Sequence, residues 1–571
     1  MTGKATAVDP DESSLPRSLD ADPRNRAIDR LLAAMGLLDD AAPLFASAGA
    51  VPRAGALLAI PALVASGVLS VAESIYGSLG PAFYGLRTTI VTFILLALLR
   101  IKRPEALKEH APADLGLIVG LDRAPEVKTL RRKLTRLAGL RRAERFGREL
   151  ARRRVAERGR TLGFLYVDGH VRVYHGKHTI PKAHVTRQRI SLPATTDYWV
   201  NDEQGDPVFV VTAEANAGLA RILPRILTEI RALIGPGRRL TIVFDRGGWS
   251  PKLFFAVIEE GFDILTYRKG RFRKIGEKRF VRRRTTIDRR LVEYRVHDQV
   301  VRFLKGKLRL RQVTRLCDDG HQTAILTSRV DLKDIVIAYR MFERWRQENF
   351  FKYLREEYLI DALADYEVEP DDPTRSVPNP AWNEADRKLK AARAAVAKLE
   401  VAYGKKALEN PEKKRATMRG FKIAHGKLGK ELWNARMRAA ELFAQRSQLE
   451  RRVPVEKALD GKAVVKLAPE RKHLTNVLKM VAYQIESDLL NSIRPHYARV
   501  EQEGRTLIQT ALQSTAAIEP KDGELRVTLA PLSSPHRSRA INVLCESLNA
   551  AETRFPGTRL RMIFGVAQPP P

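Results

Sequence analysis

Three acidic residues in separate parts of the chain are of the type that binds divalent metal ions. Asp168 follows the apolar run LGFLYV, Asp245 follows LTIVF, and Glu348 lies in the amphipathic segment ERWRQENFFKYLR. Carboxylates from separate elements hold pairs of divalent cations, which activate the attacking oxygen and neutralise the leaving oxygen in phosphodiester chemistry. The residue types therefore predict metal-dependent phosphodiester cleavage or transfer, with all three residues as catalytic groups and metal ligands.

The patterns around the aspartates predict an α/β core that brings them together. LGFLYVDGHVRV and DPVFVVTAE are typical of strands, and the segments from LARILPRILTEIRALI to FDILTYRKG alternate helix and strand. Strands followed by such an alternation are the plan of an RNase H-like core, and parallel sheets carry their sites at the carboxyl ends of strands. We therefore expect Asp168 on the central strand and Asp245 at the end of the next one.

This core is expected over residues 161–365. Within it, residues 271–330 keep the strand pattern without helices, which predicts a β-rich insertion. Residues 332–360 predict one amphipathic helix that supplies Glu348.

Each acid also has a structural interpretation. Asp168 can cap a turn with Gly169, and Asp245, which precedes Gly247, can form an Asx-turn. Glu348 is by itself an ordinary helical glutamate, and other acids nearby compete with it as third ligand: Glu343, Glu356 and Glu357. The combination of all three acids in this order favours the catalytic interpretation.

Four further regions flank the core. They are a mostly disordered leader over 1–50, a helical basic DNA-binding domain over 51–160, an antiparallel helical hairpin over 381–452, and a C-terminal α+β region over 456–571. The hairpin follows from an apolar seam with alternating spacings of three and four residues. Because neither the hairpin nor the C-terminal region is needed to build the metal site, both are candidates for dimerisation.

The region 51–160 combines apolar and basic segments. Residues 54–72 and 88–99 are uncharged, and we interpret them as buried helices rather than membrane spans because Pro61 interrupts the first and the second is short. Residues 111–137 have the outline of a helix-turn-helix. Its second helix carries candidate DNA-binding residues: Lys128, Arg131 and Arg132.

The charge of the chain predicts a polyanionic partner. Lys and Arg number 100 against 66 acidic residues, a formal net charge of +34. Such an excess favours nucleic acid over a membrane surface. The chain has 2 cysteines, too few for a disulfide framework or a zinc site, which indicates a reducing cytoplasm.

The segment around Glu348 resembles a motif of the DDE transposases of bacterial insertion sequences. Their Y-x2-R-x3-E-x6-K subgroup is matched by Arg344, Glu348 and Arg355, while Met341 stands at the tyrosine position and arginine replaces the final lysine. DRGGWSPKLF and VDGH resemble the blocks around the second and first aspartates. The likeness covers residues 161–365 best.

This resemblance implies cut-and-paste DNA transposition with two Mg²⁺ ions, for which Mn²⁺ substitutes. Double-stranded DNA would be the partner, as terminal inverted repeats and as target, with a homodimer assembled on it near the bacterial nucleoid. Arg344 and Arg355 suit phosphate binding, because guanidinium groups match phosphate oxygens. Trp249 either packs in the core or stacks on an unpaired base.

Two other functions fit the same residues. One is an RNase H-like nuclease or resolvase that cuts without joining. The other is a DNA-binding protein descended from a transposase whose motif changes have removed its activity.

Overall fold

The computed structural model describes residues 18–158, 162–178, 180, 182–185, 190–213, 218–270, 272–288, 290–362, 367–409, 425–459 and 463–568. The first part of the predicted leader, 1–17, lies outside this set. The chain divides into two compact units. The main unit comprises Met1–Tyr174, Val185–Tyr366 and Ala468–Pro571, and the second unit comprises His175–His184 and Glu367–Leu467.

The elements confirm the mixed α/β class. The helices are α1 (Ala27–Ala34), α2 (Ile60–Ala65), α3 (Val68–Tyr76), α4 (Leu86–Leu98), α5 (Pro112–Ile118), α6 (Val127–Gly139), α7 (Ala143–Arg158), α8 (Leu219–Ile234), α9 (Pro251–Glu259), α10 (Asp334–Phe342), α11 (Trp345–Glu356), α12 (Pro380–Leu408), α13 (Gly426–Ser447), α14 (Val455–Ala458), α15 (Glu470–Ile493), α16 (Val500–Gln513) and α17 (Pro535–Asn549).

The strands are β1 (Ala48–Val51), β2 (Phe164–Val173), β3 (Lys182–Val185), β4 (Ile190–Asn201), β5 (Pro207–Ala213), β6 (Thr241–Phe244), β7 (Asp263–Tyr267), β8 (Val281–Ile287), β9 (Arg290–Phe303), β10 (Leu308–Leu316), β11 (Gln322–Thr327), β12 (Val368–Pro370), β13 (Ser376–Pro378), β14 (Arg452–Pro454), β15 (Val465–Leu467), β16 (Ala516–Lys521), β17 (Glu524–Leu529) and β18 (Arg561–Val566).

One large sheet organises the main unit. β2 is an interior strand near one side of this sheet and not the central strand that the sequence predicts; it is antiparallel to β4 and parallel to β6, and β5 and β7 lie beyond these two neighbours. The strand β6 is completely buried, which agrees with its apolar sequence TIVF. Parallel strands buried on both faces read as continuous apolar runs, so the pattern that predicted this strand reflects its place in the sheet.

The predicted β-rich insertion is present, and its strands extend the same sheet. β11 pairs antiparallel with β7, and β10, β9 and β8 follow in that order. The insertion therefore continues outward from the strand next to Asp245 instead of forming a separate body.

The single helix predicted over 332–360 is wrong, because two helices are present. α10 ends at Phe342 and α11 begins at Trp345. Between them, Arg346 N donates to Glu343 O at 2.9 Å and Gln347 N donates to Arg344 O at 3.0 Å. These i→i+3 bonds tighten the turn and redirect the chain. Amphipathic periodicity alone does not reveal such a break.

Most apolar residues of 54–99 are buried, as the sequence predicts. α4 is buried along nearly its whole length, and the residues of the 3-10 turn Ala54–Ala59 are all buried. In the described part of the chain, no single helix is both long enough and apolar enough to span a membrane. The helices Ala54–Ala65 and Val68–Tyr76, bent by 62° relative to each other, reach the required length and apolar composition only as a pair.

The C-terminal residues from Ala468 belong to the main unit, whereas the sequence placed 456–571 in a separate region. α15 is buried from Lys472 to Ser487 and packs against α4, α7 and β5. Gln484 Nε2 donates a buried 2.7 Å hydrogen bond to Pro207 O at the start of β5. A separate sheet of order β1-β16-β17-β18 joins an N-terminal strand to C-terminal ones. The apolar face of α15 therefore completes the core.

The second unit contains the predicted helical hairpin. α12 and α13 pack together over much of their length. Arg446 pairs with Asp386 at 2.7 Å, and Arg436 pairs with Glu400 at 2.7 Å. The later residue of α13 therefore contacts the earlier residue of α12. The helices are therefore antiparallel. The connection over 410–424 lies outside the described residues.

A buried ionic cluster links α15 to α11 in the main unit. Glu486 is fully buried, and its Oε2 accepts from Arg100 Nη2 at 2.5 Å and from the hydroxyl of Tyr358 at 2.7 Å. Its Oε1 accepts from Arg505 Nη1 at 2.9 Å and from the hydroxyl of Tyr353. Burial alone would raise the pKa of Glu486, but the two guanidinium groups and the tyrosine bond lower it to about 2. We call these five residues the Glu486 cluster.

The Glu486 cluster yields a stability prediction. Glu486→Gln leaves Arg100 and Arg505 without their shared counter-charge, so we expect the free energy of unfolding at pH 7 to fall by about 3–5 kcal/mol. Urea titration followed by circular dichroism measures it. In the wild type, this contribution is present above the unfolded pKa of about 4.3 and is lost as pH falls toward about 2.

The matched control is Glu503→Gln. Its carboxylate pairs with Arg499 at 2.8 Å and has a more exposed side chain, so the loss should be much smaller than that of Glu486→Gln, because solvent screens such a pair. A loss for Glu486→Gln no larger than the control's would contradict the assigned role of the cluster.

Candidate functional site

The structure brings the two predicted strand aspartates side by side. Val167 is paired with Phe244 in the parallel register of β2 and β6, and Asp168 and Asp245 are the next residues on the two strands. Neighbouring strands lie about 4.8 Å apart, so one strand spacing separates the two backbones. Both carboxylates therefore start at the level of the carboxyl end of β6.

The helices α10 and α11 cover the sheet face to which both aspartates belong. Tyr166 and Val243, each two residues before an aspartate, pack in one apolar cluster with α10. Side chains two residues apart along a strand share a face. Gln347 Nε2 donates a buried 2.7 Å hydrogen bond to Tyr166 O and thereby attaches the first turn of α11 to β2.

Arg344, at the break between these helices, connects the acids. Its Nη1 donates to Asp168 Oδ2 at 2.9 Å, and its Nη2 lies 3.7 Å from Glu348 Oε1. The Arg344 side chain is 14% exposed. Burial opposes its charge, but the carboxylates of Asp168, Asp245 and Glu348, together with Tyr267, raise the pKa of Arg344. One guanidinium group thus balances several carboxylates.

Asp168 carries a charge that the fold does not fully compensate. Burial raises the pKa of its carboxyl group, and the nearby charge of Asp245 raises it further. Arg344 and the backbone N–H of Gly169, which donates to Asp168 Oδ1 at 2.9 Å, act in the opposite direction. The net pKa shift of Asp168 is upward.

Asp245 makes the turn that its sequence context predicts and still faces the site. Its Oδ1 accepts from Gly247 N at 2.8 Å, while its backbone carbonyl accepts from the Thr266 hydroxyl at 3.3 Å. Within the described residues, no hydrogen bond engages Oδ2. The structural and the catalytic interpretations of Asp245 are therefore compatible, because one oxygen serves the turn and the other is available.

Glu348 is the helical acid that contacts Arg344. It lies in the first turn of α11, and its side chain is 70% exposed. Two of the competing acids are engaged elsewhere: Glu343 pairs with Arg346, and Glu357 lies 3.2 Å from Arg100. The exposed Glu356 is in the last turn of the same helix.

The donor types at this site fit a divalent cation. Carboxylate oxygens are the ligands that Mg²⁺ prefers. Within the described ranges, no group of three or more His, Cys, Asp or Glu residues stands in an arrangement that could hold a metal ion. Here the guanidinium of Arg344 supplies the positive charge between Asp168 and Glu348. The exposed side chain of Glu348 has room to change its rotamer.

The remaining predicted residues fall into two groups. Arg355 lies in the last turn of α11, and Trp249 packs edge-on against Phe254 and Phe303, with ring centroids 5.4 and 6.0 Å away.

Helix α6 carries none of the three acids. Its predicted DNA-binding residues are exposed: Lys128, Arg131 and Arg132. Arg131 is paired with Glu105. The DNA-binding role of these residues stays a prediction.

Two groups near the aspartates are not among the predicted site residues, although the sequence singles out His170, which belongs to the second, as a hydrogen-bonded core histidine or a neighbour of the metal. Burial and the charges of Asp245 and Asp168 raise the pKa of Tyr198, whose strand pairs with β2 opposite Gly169. A Cβ at Gly169 would lie 3.0 Å from the Tyr198 ring, so glycine makes room for it. Strand pairing, which the sequence pattern does not specify, creates this contact.

The second group is an ion-paired chain beside β2. His170 Nε2 lies 3.1 Å from Asp361 Oδ2, and Asp361 Oδ1 lies 3.4 Å from Lys472 Nζ on α15. Burial would raise the pKa of Asp361, but the hydrogen bond with His170 and the charges of Lys472 and Arg172 lower it. The only sequence signal was the histidine two residues after Asp168.

Comparison with known proteins gives one family match. A family model described as "Transposase protein" matches residues 23–568. No curated protein matches the chain. Among solved structures, a cryo-EM structure of a piggyBac transposase synaptic complex with hairpin DNA is similar at 11% identity, with a TM-score of 0.30. The match covers 47% of this chain and 57% of that chain, and a TM-score this low carries no weight for fold or function.

The opposite pKa shifts of Asp168 and Asp361 yield a prediction. The folded pKa of Asp168 is raised, so its ionised form destabilises the fold at pH 7, and Asp168→Asn should raise the thermal unfolding midpoint without divalent metal. The gain should vanish below the unfolded pKa of about 3.9. Asp361→Asn, the control, should lower the midpoint because the folded pKa of Asp361 is lowered. A lower midpoint for Asp168→Asn would contradict this account of its charge.

Proposed function

The chain belongs to the family described as "Transposase protein", and on that premise we propose that it is a DDE-type transposase. In this proposal it cleaves DNA at the ends of a bacterial insertion sequence and joins the freed ends to target DNA. Double-stranded DNA is its partner, and the bacterial nucleoid is its place of action. The catalytic residues are Asp168, Asp245 and Glu348.

One observation carries the proposal. Asp168 and Asp245 end up next to each other on adjacent parallel strands, and Arg344 joins Asp168 to Glu348. Residues far apart in the sequence thus form one acidic site within a transposase family. The strand arrangement, with antiparallel neighbours on one side of β2 and parallel ones on the other, supports an RNase H-like core.

The proposed cofactor is a pair of Mg²⁺ ions, for which Mn²⁺ substitutes. Asp168, Asp245 and Glu348 would hold them. When bound, such ions supply activation of the attacking oxygen and stabilisation of the leaving oxygen. The partly buried position of Asp168 favours this role, because a carboxylate with an upward-shifted pKa gains from additional positive charge.

The chain's own residues supply binding and orientation. Arg344 is close enough to Asp168 to exchange that carboxylate for a phosphate oxygen, since both are bidentate acceptors for guanidinium. Gln347 fixes the start of α11 against β2, so Arg344 and Glu348 keep their place while the ligands change. The excess of cations over the whole chain attracts the DNA backbone.

The proposal predicts loss of cleavage with retention of DNA binding. Asp168→Asn, Asp245→Asn and Glu348→Gln should each reduce Mg²⁺-dependent strand cleavage by 10³-fold or more (an order-of-magnitude expectation for loss of an essential metal ligand). DNA affinity should change by less than about tenfold, because it arises from distributed phosphate contacts. Cleavage is measured on DNA carrying the inverted repeats that flank the gene.

The matched control is Glu356→Gln, an exposed acid on the same helix, which should cleave at the wild-type rate. Joined products support the transposase, and cut products alone support a nuclease or resolvase. Binding without any cleavage by the wild type would identify a decayed transposase. Full cleavage by one of the three variants would remove that residue from the site.

We further propose that the active form is a homodimer on DNA, because joining requires two ends held together. Several large apolar side chains of the helical hairpin are exposed: Val401, Leu408, Trp433, Met437 and Phe443. Trp433 and Met437, 62% and 45% exposed, are four residues apart and therefore lie on one face of α13. Exposed apolar faces of this kind mark protein contacts.

The corresponding prediction concerns paired DNA ends. The double variant Trp433→Ser and Met437→Ser should bind a single end normally but lose at least about 90% of paired-end complexes in native gels, a shift of about 1.4 kcal/mol or more. Leu31→Ser with Met35→Ser, an equally spaced exposed pair in the main unit, is the control and should assemble normally. If the Trp433→Ser, Met437→Ser variant forms paired-end complexes normally, this face of α13 is not the dimer contact.

A further inference from the structure

Two arginines near the acidic site pack against aromatic rings. The guanidinium of Arg246 lies 5.6 Å from the centroid of the Tyr267 ring. That of Arg315 lies 4.4 Å from the Tyr294 ring and 4.5 Å from the Phe342 ring. Guanidinium groups stack on aromatic faces and keep their in-plane N–H groups available for planar acceptors. We call the three aromatic side chains the aromatic shelf.

The aromatic shelf lies on the sheet face of the two aspartates. The pairing of β6 with β7 makes Tyr267 the neighbour of Asp245 on the next strand. Tyr267 and Tyr294 both pack against the apolar cluster that contains α10. Their ring centroids lie 6.3 and 5.9 Å from that of Phe342, the last residue of this helix. The shelf therefore begins next to Asp245 and continues under the end of α10.

The strand registers place Arg315 at the same end of the sheet as Asp245. Arg315 is paired with Thr323 of β11, and Ile325, two residues later on that strand, is paired with Tyr267. Because β11 runs antiparallel to β7, the lower-numbered Thr323 lies toward the carboxyl end of β7. Three strand spacings of about 4.8 Å separate β10 from β6, so Arg315 lies about 14 Å to the side of Asp245.

The charge balance of the acidic site favours an external anion at these arginines. Within the described part of the chain, no acidic side chain pairs with Arg246 or Arg315. Arg344, by contrast, is shared among the carboxylates of the site. The site therefore keeps a net negative charge, and phosphates that approach it are repelled unless cations offset this charge. Guanidinium groups match phosphate oxygens, so both arginines are suited to this task.

We propose that Arg246 and Arg315 bind the phosphate backbone of the DNA duplex on one side of the scissile phosphodiester. This inference rests on the proposed function, because it takes DNA as the substrate of the acidic site. Phosphate contacts fix the position of a duplex without reading its bases, so the two arginines position the scissile bond. Each nucleotide advances about 3.4 Å along the duplex axis, so the contact of Arg315 lies up to about four nucleotides beyond that of Arg246.

The test combines arginine variants with DNA in which single phosphates are replaced by neutral methylphosphonates. The cut is first mapped with the full-length wild type and Mg²⁺ on DNA that carries the flanking inverted repeats. Binding is then measured without divalent metal, so that the DNA stays intact, over about five phosphates on each side of the cut. Neutralising a contacted phosphate should weaken wild-type binding by about tenfold, the scale of one charge-assisted hydrogen bond.

Each arginine should account for its own phosphate. In Arg246→Gln, the effect of neutralising a phosphate next to the cut should fall below about twofold, while the more distant phosphate keeps its full effect. Arg315→Gln should show the reverse pattern. Because each variant keeps one sensitive phosphate, this pattern excludes a general folding defect as its cause.

The matched control is Arg309→Gln. Arg309 is exposed on the same strand and the same face as Arg315, six residues earlier, which places it about 20 Å away toward the opposite end of the sheet. This variant should keep the full effect of both phosphates.

The outcomes separate this inference from the proposed function. A wild type that does not cleave the DNA contradicts the proposed function and this inference together. A wild type that cleaves but tolerates every neutral phosphate overturns only this inference. The same holds if either arginine variant keeps both sensitive phosphates, if the exposed Arg246→Gln variant loses both, or if Arg309→Gln loses them as well.

Discussion

The ion pair between Arg344 and Asp168 is the interaction on which the arrangement of the site depends. It joins the helix break to β2, and the same guanidinium reaches Glu348. Without it, the partly buried Asp168 carboxylate next to Asp245 would lose the positive neighbour that offsets the upward shift of its pKa. The ion pair forms at the interruption between α10 and α11, because Arg344 is the residue immediately before α11.

A second charged contact secures the other end of the same helix. Tyr353, near the end of α11, donates to Glu486, which is also bonded to Arg100 and Arg505. Helix α11 is thus attached to the sheet through Gln347 and Arg344, and to N-terminal and C-terminal segments through the Glu486 cluster.

The sequence predicts those features that depend on local patterns. The apolar runs before Asp168 and Asp245 identify the buried strands, and the spacing of Arg344 and Glu348 places both near one turn of helix. Contacts that depend on distant segments were not predictable. Periodicity within 332–360 does not show the break, and nothing near Glu486 indicates that Arg100 lies beside it. The apolar face of α15 predicted burial, but only the fold shows that it packs within the main unit.

The central claim is that Asp168, Asp245 and Glu348 form one metal-dependent site in which Arg344 now provides the positive charge. Its most direct test is anomalous diffraction from crystals of the full-length protein soaked in Mn²⁺. The account predicts anomalous peaks between Asp168 and Asp245, the Glu348 side chain turned toward them, and Arg344 separated from Asp168. Saturating Mn²⁺ with no peak at these residues, and an intact Arg344–Asp168 bond, would contradict it.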